Sequence, residues 1–103
     1  MALLGDPFVA TTAKQFSLQE LQQAIRADIA GELEAIIGYE AHAMSCNDER
    51  VKQILTQIAD DEKKHVGQLQ QVLHMLNPRE KQMFDQGQNK IMQQSQNLSQ
   101  SMQ

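Results

Sequence analysis

Two apolar stripes at helical spacing, each interrupted by ionisable groups, constrain this chain more than any other feature. The first runs Ile25, Ile29, Glu32, Ile36, Tyr39, Ala43, in alternating steps of four and three. The second runs Val51, Leu55, Ile58, Glu62, His65, Leu69, Val72, Leu76, again in fours and threes. Such steps keep side chains on one face of a helix, so each stripe predicts a long helix with one inward face. Glu32, Glu62 and His65 fall on those faces. A buried charge without a partner is costly, and one divalent cation would compensate all three.

Local signals set the ends of these helices. Ser17 and Glu20 form an S-x-x-E capping box, and Phe16 is placed to staple against Leu21. The first helix should run from there to about Met44. Ser45-Cys46-Asn47-Asp48 reads as a turn rich in N-cap residue types. A second helix follows from about Asp48 to Leu76. Asn77, Pro78 and Glu80 then give a cap, a first-turn proline and another capping box for a third helix. Its seam is thin, Phe84, Ile91 and Leu98, and its Gln-rich second half is open to fraying. Residues 1–15 form an N-terminal arm without sustained periodicity, 16–98 the helical domain, and 99–103 a polar tail.

The spacing brings the ionisable groups to one level. In an antiparallel hairpin turning between Cys46 and Asn47, Glu32 and Glu62 each lie about 22 Å from the turn at about 1.5 Å of rise per residue. His65 sits one turn beyond Glu62. A Glu on one helix and Glu-x-x-His on the other is half of the carboxylate-bridged di-iron constellation of ferritin-like bundles. Two copies about a two-fold axis would supply the whole set. The plain alternative, polar residues acting as a register device or as the solvated edge of an interface, accounts for Glu62 and His65 alone, but less well for all three together.

Other polar residues have simpler readings. Tyr39 could hydrogen-bond a ligand carboxylate or simply fill the core. Glu34 is about 200° around the helix from Glu32 and points to solvent. His42 and His74 lie near helix C-termini, where the dipole favours them. Asp28, one turn before Glu32, could orient a ligand. Cys46 is the one cysteine, so the chain holds no disulfide and no Cys-rich metal site. Thirteen acids against nine Lys and Arg, a net charge of −4, disfavour nucleic acid and suit cation capture. No apolar run approaches membrane-spanning length, and Met1–Gly5 is too short for a signal peptide. Together these predict a soluble, cytoplasmic protein. With 103 residues, this is one small domain at most, for which oligomerisation is a common source of extra buried surface.

Glu32-Leu33-Glu34-Ala35 with Tyr39, followed by Asp61-Glu62-Lys63-x-His65, resembles the encapsulated ferritins, half-length members of the ferritin-like superfamily. The resemblance covers about residues 20–98. It implies an all-α fold, an antiparallel hairpin plus a shorter C-terminal helix that dimerises into a four-helix bundle. It implies a ferroxidase that oxidises Fe²⁺ with dioxygen or peroxide at a di-iron centre between subunits, with Mn, Zn or Ca as substitute metals. By matching position, Glu32, Glu62 and His65 become iron ligands and Glu62 the bridge. Tyr39 stands close to the centre, and Glu34 belongs to an outer site where metal enters. The family assembles as rings of five dimers and is housed in an encapsulin shell. Family members carry an acid where this chain has Gly31 and a tryptophan where it has Gly38. The short Gly/Leu-containing docking peptide of the family has no convincing counterpart in Gln96–Gln103. Two other readings stay open: a metal-stapled assembly domain without activity, and a rubrerythrin-like peroxide reductase whose electron donor is a separate protein.

Overall fold

The computed structural model describes residues 15–102, which form three helices. All of the expected 1–15 arm but its last residue, and Gln103, lie outside them. Helix α1 spans Leu18–Ser45, α2 spans Glu49–Leu76 and α3 spans Pro78–Ser101. There is no strand among the described residues, and the fold is all-α.

Each start is built by the residues that announced it. Ser17 Oγ accepts the Glu20 backbone N–H at 3.1 Å, while Glu20 Oε1 accepts the Ser17 N–H at 3.0 Å, so the capping box is complete. Asp48 caps α2 by accepting the backbone N–H groups of Arg50 and Val51. The Arg50 guanidinium and these backbone donors hold the Asp48 carboxyl below its ordinary pKa, because each favours the charged form.

At the α2–α3 elbow, Asn77 Oδ1 accepts the Glu80 N–H at 3.0 Å. The second half of the expected capping box is replaced. The Asn77 N–H donates to the Leu73 carbonyl, and the Glu80 carboxylate pairs with Arg26 of α1. The Asn77 side-chain amide also donates to Gln22 at 3.1 Å. A long-range ion pair has taken a side chain that local sequence assigned to its own helix.

Helices α1 and α2 pack as an antiparallel hairpin, locked across its flank by Lys63 and Glu40 at 2.8 Å. Those contacts with Glu40 and Asp60 raise the Lys63 pKa, since both acids favour the ammonium. The row of α2 that faces α1 differs from the expected stripe. Ala59 and Leu73 are buried and Val66 is half-buried, whereas Val51 and Val72 are 43% and 41% exposed. Both rows share Leu55, Glu62, Leu69 and Leu76, and both step in threes and fours. Periodicity defined a band wider than one row, and the small side chain of Ala59 decided which edge lies against α1.

Leu73→Ala tests that assignment. Leu73 is 2% exposed, and its truncation should cost about 2–5 kcal/mol, the usual range for a buried leucine. Val72→Ala should cost far less in dilute, metal-free protein. Chemical denaturation followed by circular dichroism measures both, and equal losses would contradict the observed register.

Helix α3 is longer than its thin seam suggested. It continues through the Gln-rich stretch to Ser101, so most of the expected polar tail is helical. Every residue from Gln86 to Met102 is exposed. The projecting α3 makes the described molecule elongated, 57 × 44 × 18 Å. No helix is long and apolar enough to cross a membrane among the described residues.

Candidate metal centre

The hairpin brings Glu32 of α1 together with Glu62 and His65 of α2. One ligand atom from each lies within 4.8 Å of the others. His65 Nδ1 stands 3.5 Å from Glu32 Oε2 and 3.6 Å from Glu62 Oε2. Equal distance from the turn is what aligns the two helices here. The i, i+3 offset then lays His65 beside Glu62 on one face.

Burial in the trio is graded. The side chains of Glu62 and Glu32 are 19% and 27% exposed, and that of His65 is 50% exposed. His65 lies on the same flank of α2 as Val51 and Val72, the edge that the hairpin leaves uncovered. The expectation of three buried groups therefore fails for His65 within a single chain. The trio opens outward.

Glu32 Oε2 supplies the sharpest observation. It is buried and accepts no hydrogen bond among the described residues. An unsatisfied buried carboxylate oxygen is costly, and a cation is the direct remedy. Two carboxylates and an imidazole are the donor set that suits Fe²⁺, Mn²⁺ or Zn²⁺. The residues present therefore fit a di-metal centre of which this chain holds one side.

A cleft of about 820 Å³ opens beside the trio, lined by Glu32, Glu62, Tyr39 and Leu69, with Gly31 and Gly38 on its α1 wall. Tyr39 is half-buried. A methyl group built on either glycine would meet no atom within 4 Å, so the wall is open at both positions. Glu34 is exposed and lines this cleft without joining the trio. Its angular offset from Glu32 keeps it out of the trio, yet the cleft is broad enough to reach it. Asp28 and His42 line the cleft too. His42, read from the sequence as a helix-end residue, stands one turn from Tyr39, and that interval was the available signal for its place there.

A helical hairpin that exposes a Glu and a Glu-x-x-His on one face is the half-unit of a ferritin-like bundle. Comparisons agree with that class. A family model described as ubiquinone biosynthesis protein COQ7 matches residues 19–100. The crystal structure of an encapsulated ferritin domain from Pyrococcus furiosus is similar with a TM-score of 0.76 and 32% identity, covering 85% of this chain and 90% of that one. A ferritin-like–encapsulin shell fusion protein of the same organism is 37% identical over 73 residues, 71% of this chain and 21% of that protein. The encapsulin nanocompartment cargo protein EncC of Myxococcus xanthus is 32% identical over 73 residues, 71% of this chain and 56% of that protein. The chain thus spans about a fifth and just over half of these two relatives. It belongs to the encapsulated ferritins, within the ferritin-like di-iron proteins.

Proposed function

We propose that this chain is a ferroxidase subunit that binds Fe²⁺ between two copies and passes its electrons to dioxygen or peroxide. The observation that carries the reading is the converged trio, with an unsatisfied, buried Glu32 oxygen, beside an open cleft. A second copy about a two-fold axis would bring the total to four carboxylates and two imidazoles, the set that ferritin-like di-iron sites use.

Within this arrangement each residue has a task. Glu62, the least exposed of the three, would be shared between two ions, and Glu32 and His65 would each hold one. Tyr39 orients a ligand carboxylate from the cleft wall, and Glu34 attracts incoming Fe²⁺ at the rim. Bound pairwise, iron supplies the one-electron couple at each ion, so two Fe²⁺ reduce one dioxygen to hydrogen peroxide with uptake of two protons. The carboxylates offset the positive charge gained on oxidation. Gly31 and Gly38 leave the approach wider than an acid and a tryptophan would.

The half-site calls for homodimers that complete the bundle over residues 16–98, and the resemblance to encapsulated ferritins implies five such dimers in an open ring. Relatives named as encapsulin cargo and as a shell fusion support an encapsulin shell as partner and a cytoplasmic nanocompartment as location. Fe²⁺ added in air to metal-free protein should give a fast rise in ferric absorbance that saturates near one iron per chain. Tight binding of Fe²⁺ or Zn²⁺ with oxidation no faster than in buffer would identify a metal-stapled assembly domain instead.

Assembly should also respond to metal. A ligand that binds only the associated form stabilises that form by mass action. Metal-free protein should elute from size exclusion as monomer or small oligomer, and Fe²⁺ or Zn²⁺ should shift it to larger species. Identical profiles with and without metal would remove the metal-driven part of this account.

A further inference from the structure

We infer that α3 of one copy docks along the outer face of α1 of a second copy, giving a contact between chains separate from the metal centre. Among the described residues, helix α3 is anchored to its own chain only at its start, by Arg26–Glu80, Gln22–Asn77 and the edge-to-face contact of His74 with Phe84, whose ring centroids lie 4.6 Å apart. Beyond that elbow it presents Phe84, Gln88, Ile91, Ser95, Leu98 and Met102 in steps of four, three, four, three and four. This is a packing seam, and its members Ile91 and Leu98 are 62% and 63% exposed. A helix with this much Gln, Asn and Ser and an internal glycine is marginal in water without packing. The seam calls for a helical partner.

The hairpin offers a matching face. Leu33, Ile37 and Met44 of α1 are all exposed, Ile37 by 69%. They lie about 150° around α1 from Gly31, Ala35 and Gly38, on the side away from the cleft. Completing the metal centre therefore leaves this row uncovered. The two rows are similar in length, about 16 Å from Leu33 to Met44 and about 21 Å from Phe84 to Leu98.

Charge selects this pairing over α3 against α3. From Gln86 to Met102 the arm carries no acid and one base, Lys90. The hairpin holds ten acids against five Lys and Arg between Leu18 and Leu76, among them Glu34 and the Lys63-paired Glu40 one turn to either side of Ile37. Two arms together would stack polar Gln88 and Ser95 layers and bring basic side chains together. An arm on α1 places apolar side chains on an apolar row flanked by carboxylates. The contact supplies the link between dimers that a ring requires, yet uses none of the trio, so it can fail while the metal reading stands.

The test uses full-length chains in a Cys46→Ser background, one carrying Ile37→Cys and the other Ile91→Cys, co-expressed and mildly oxidised. The expected product is a disulfide-linked pair of one chain of each kind, several-fold more abundant than either like-with-like pair. Predominant links between two Ile91→Cys chains, or no link at all, would overturn the inference. In parallel, Ile91→Glu with Leu98→Glu should at least halve the largest assembly mass seen by light scattering with metal present. Fe²⁺ bound per chain under anaerobic conditions should be unchanged. An undiminished mass with helical content intact would likewise overturn it, whereas lost metal binding in wild-type protein would count against the ferroxidase reading alone.

Discussion

Glu62→Ala is expected to abolish rapid iron oxidation, with a larger loss than either Glu32→Ala or His65→Ala. Glu62 lies in the row shared by the hairpin seam and its open flank, so one carboxyl reaches both α1 and the space a second copy would occupy. On the proposed reading, removing it would deprive both ions of a ligand at once, whereas removing Glu32 would take one ligand from each. Residues that merely support metal ligands cost about 10–100-fold when replaced, so loss of the bridge should exceed that range. Initial ferric absorbance at saturating Fe²⁺ measures the effect, and circular dichroism checks that the helices persist. Near-normal rates in Glu62→Ala would show that the trio is not the site of oxidation.

The isolated protein should oxidise iron without retaining it. A complete four-helix subunit can build a closed cage, but this chain contributes one hairpin and an outlying helix. In the proposed assembly its helices would complete bundles with other copies, and an open ring would enclose no cavity. The acidic hairpin would draw Fe²⁺ toward the cleft, while nothing among the described residues would contain the ferric product. Loaded in air with a large excess of Fe²⁺, the protein should leave amorphous precipitate beside intact rings under electron microscopy. Discrete iron cores bounded by protein would refute this and make a shell unnecessary for storage.

Much of the architecture was legible from the residues because its determinants are local. Ser17 and Glu20, Asp48, and Asn77 with Pro78 mark three helix starts through hydrogen bonds that span three residues or fewer. The convergence of Glu32, Glu62 and His65 was equally accessible, since a hairpin with a known turn places residues equidistant from it at one level. What periodicity could not resolve is which edge of a broad apolar band faces inward. The rows through Ile58 and through Ala59 both satisfy helical spacing, and only packing of α2 on α1 selected the second. That choice turned His65 outward with Val51 and Val72 rather than into the hairpin core.

Tertiary structure alone decided two further matters, for the same reason: each depends on groups far apart in the chain. Glu80 forsook its local capping role for Arg26, 54 residues away, and so fixed where α3 departs. The cleft joining Gly31, Gly38 and Glu34 to the metal trio exists only once both helices are in place. Short-range hydrogen bonding and helical period determined which elements form and which ionisable groups meet. Side-chain size at the seam and long-range ion pairing determined which of those groups the hairpin buries and which it leaves exposed.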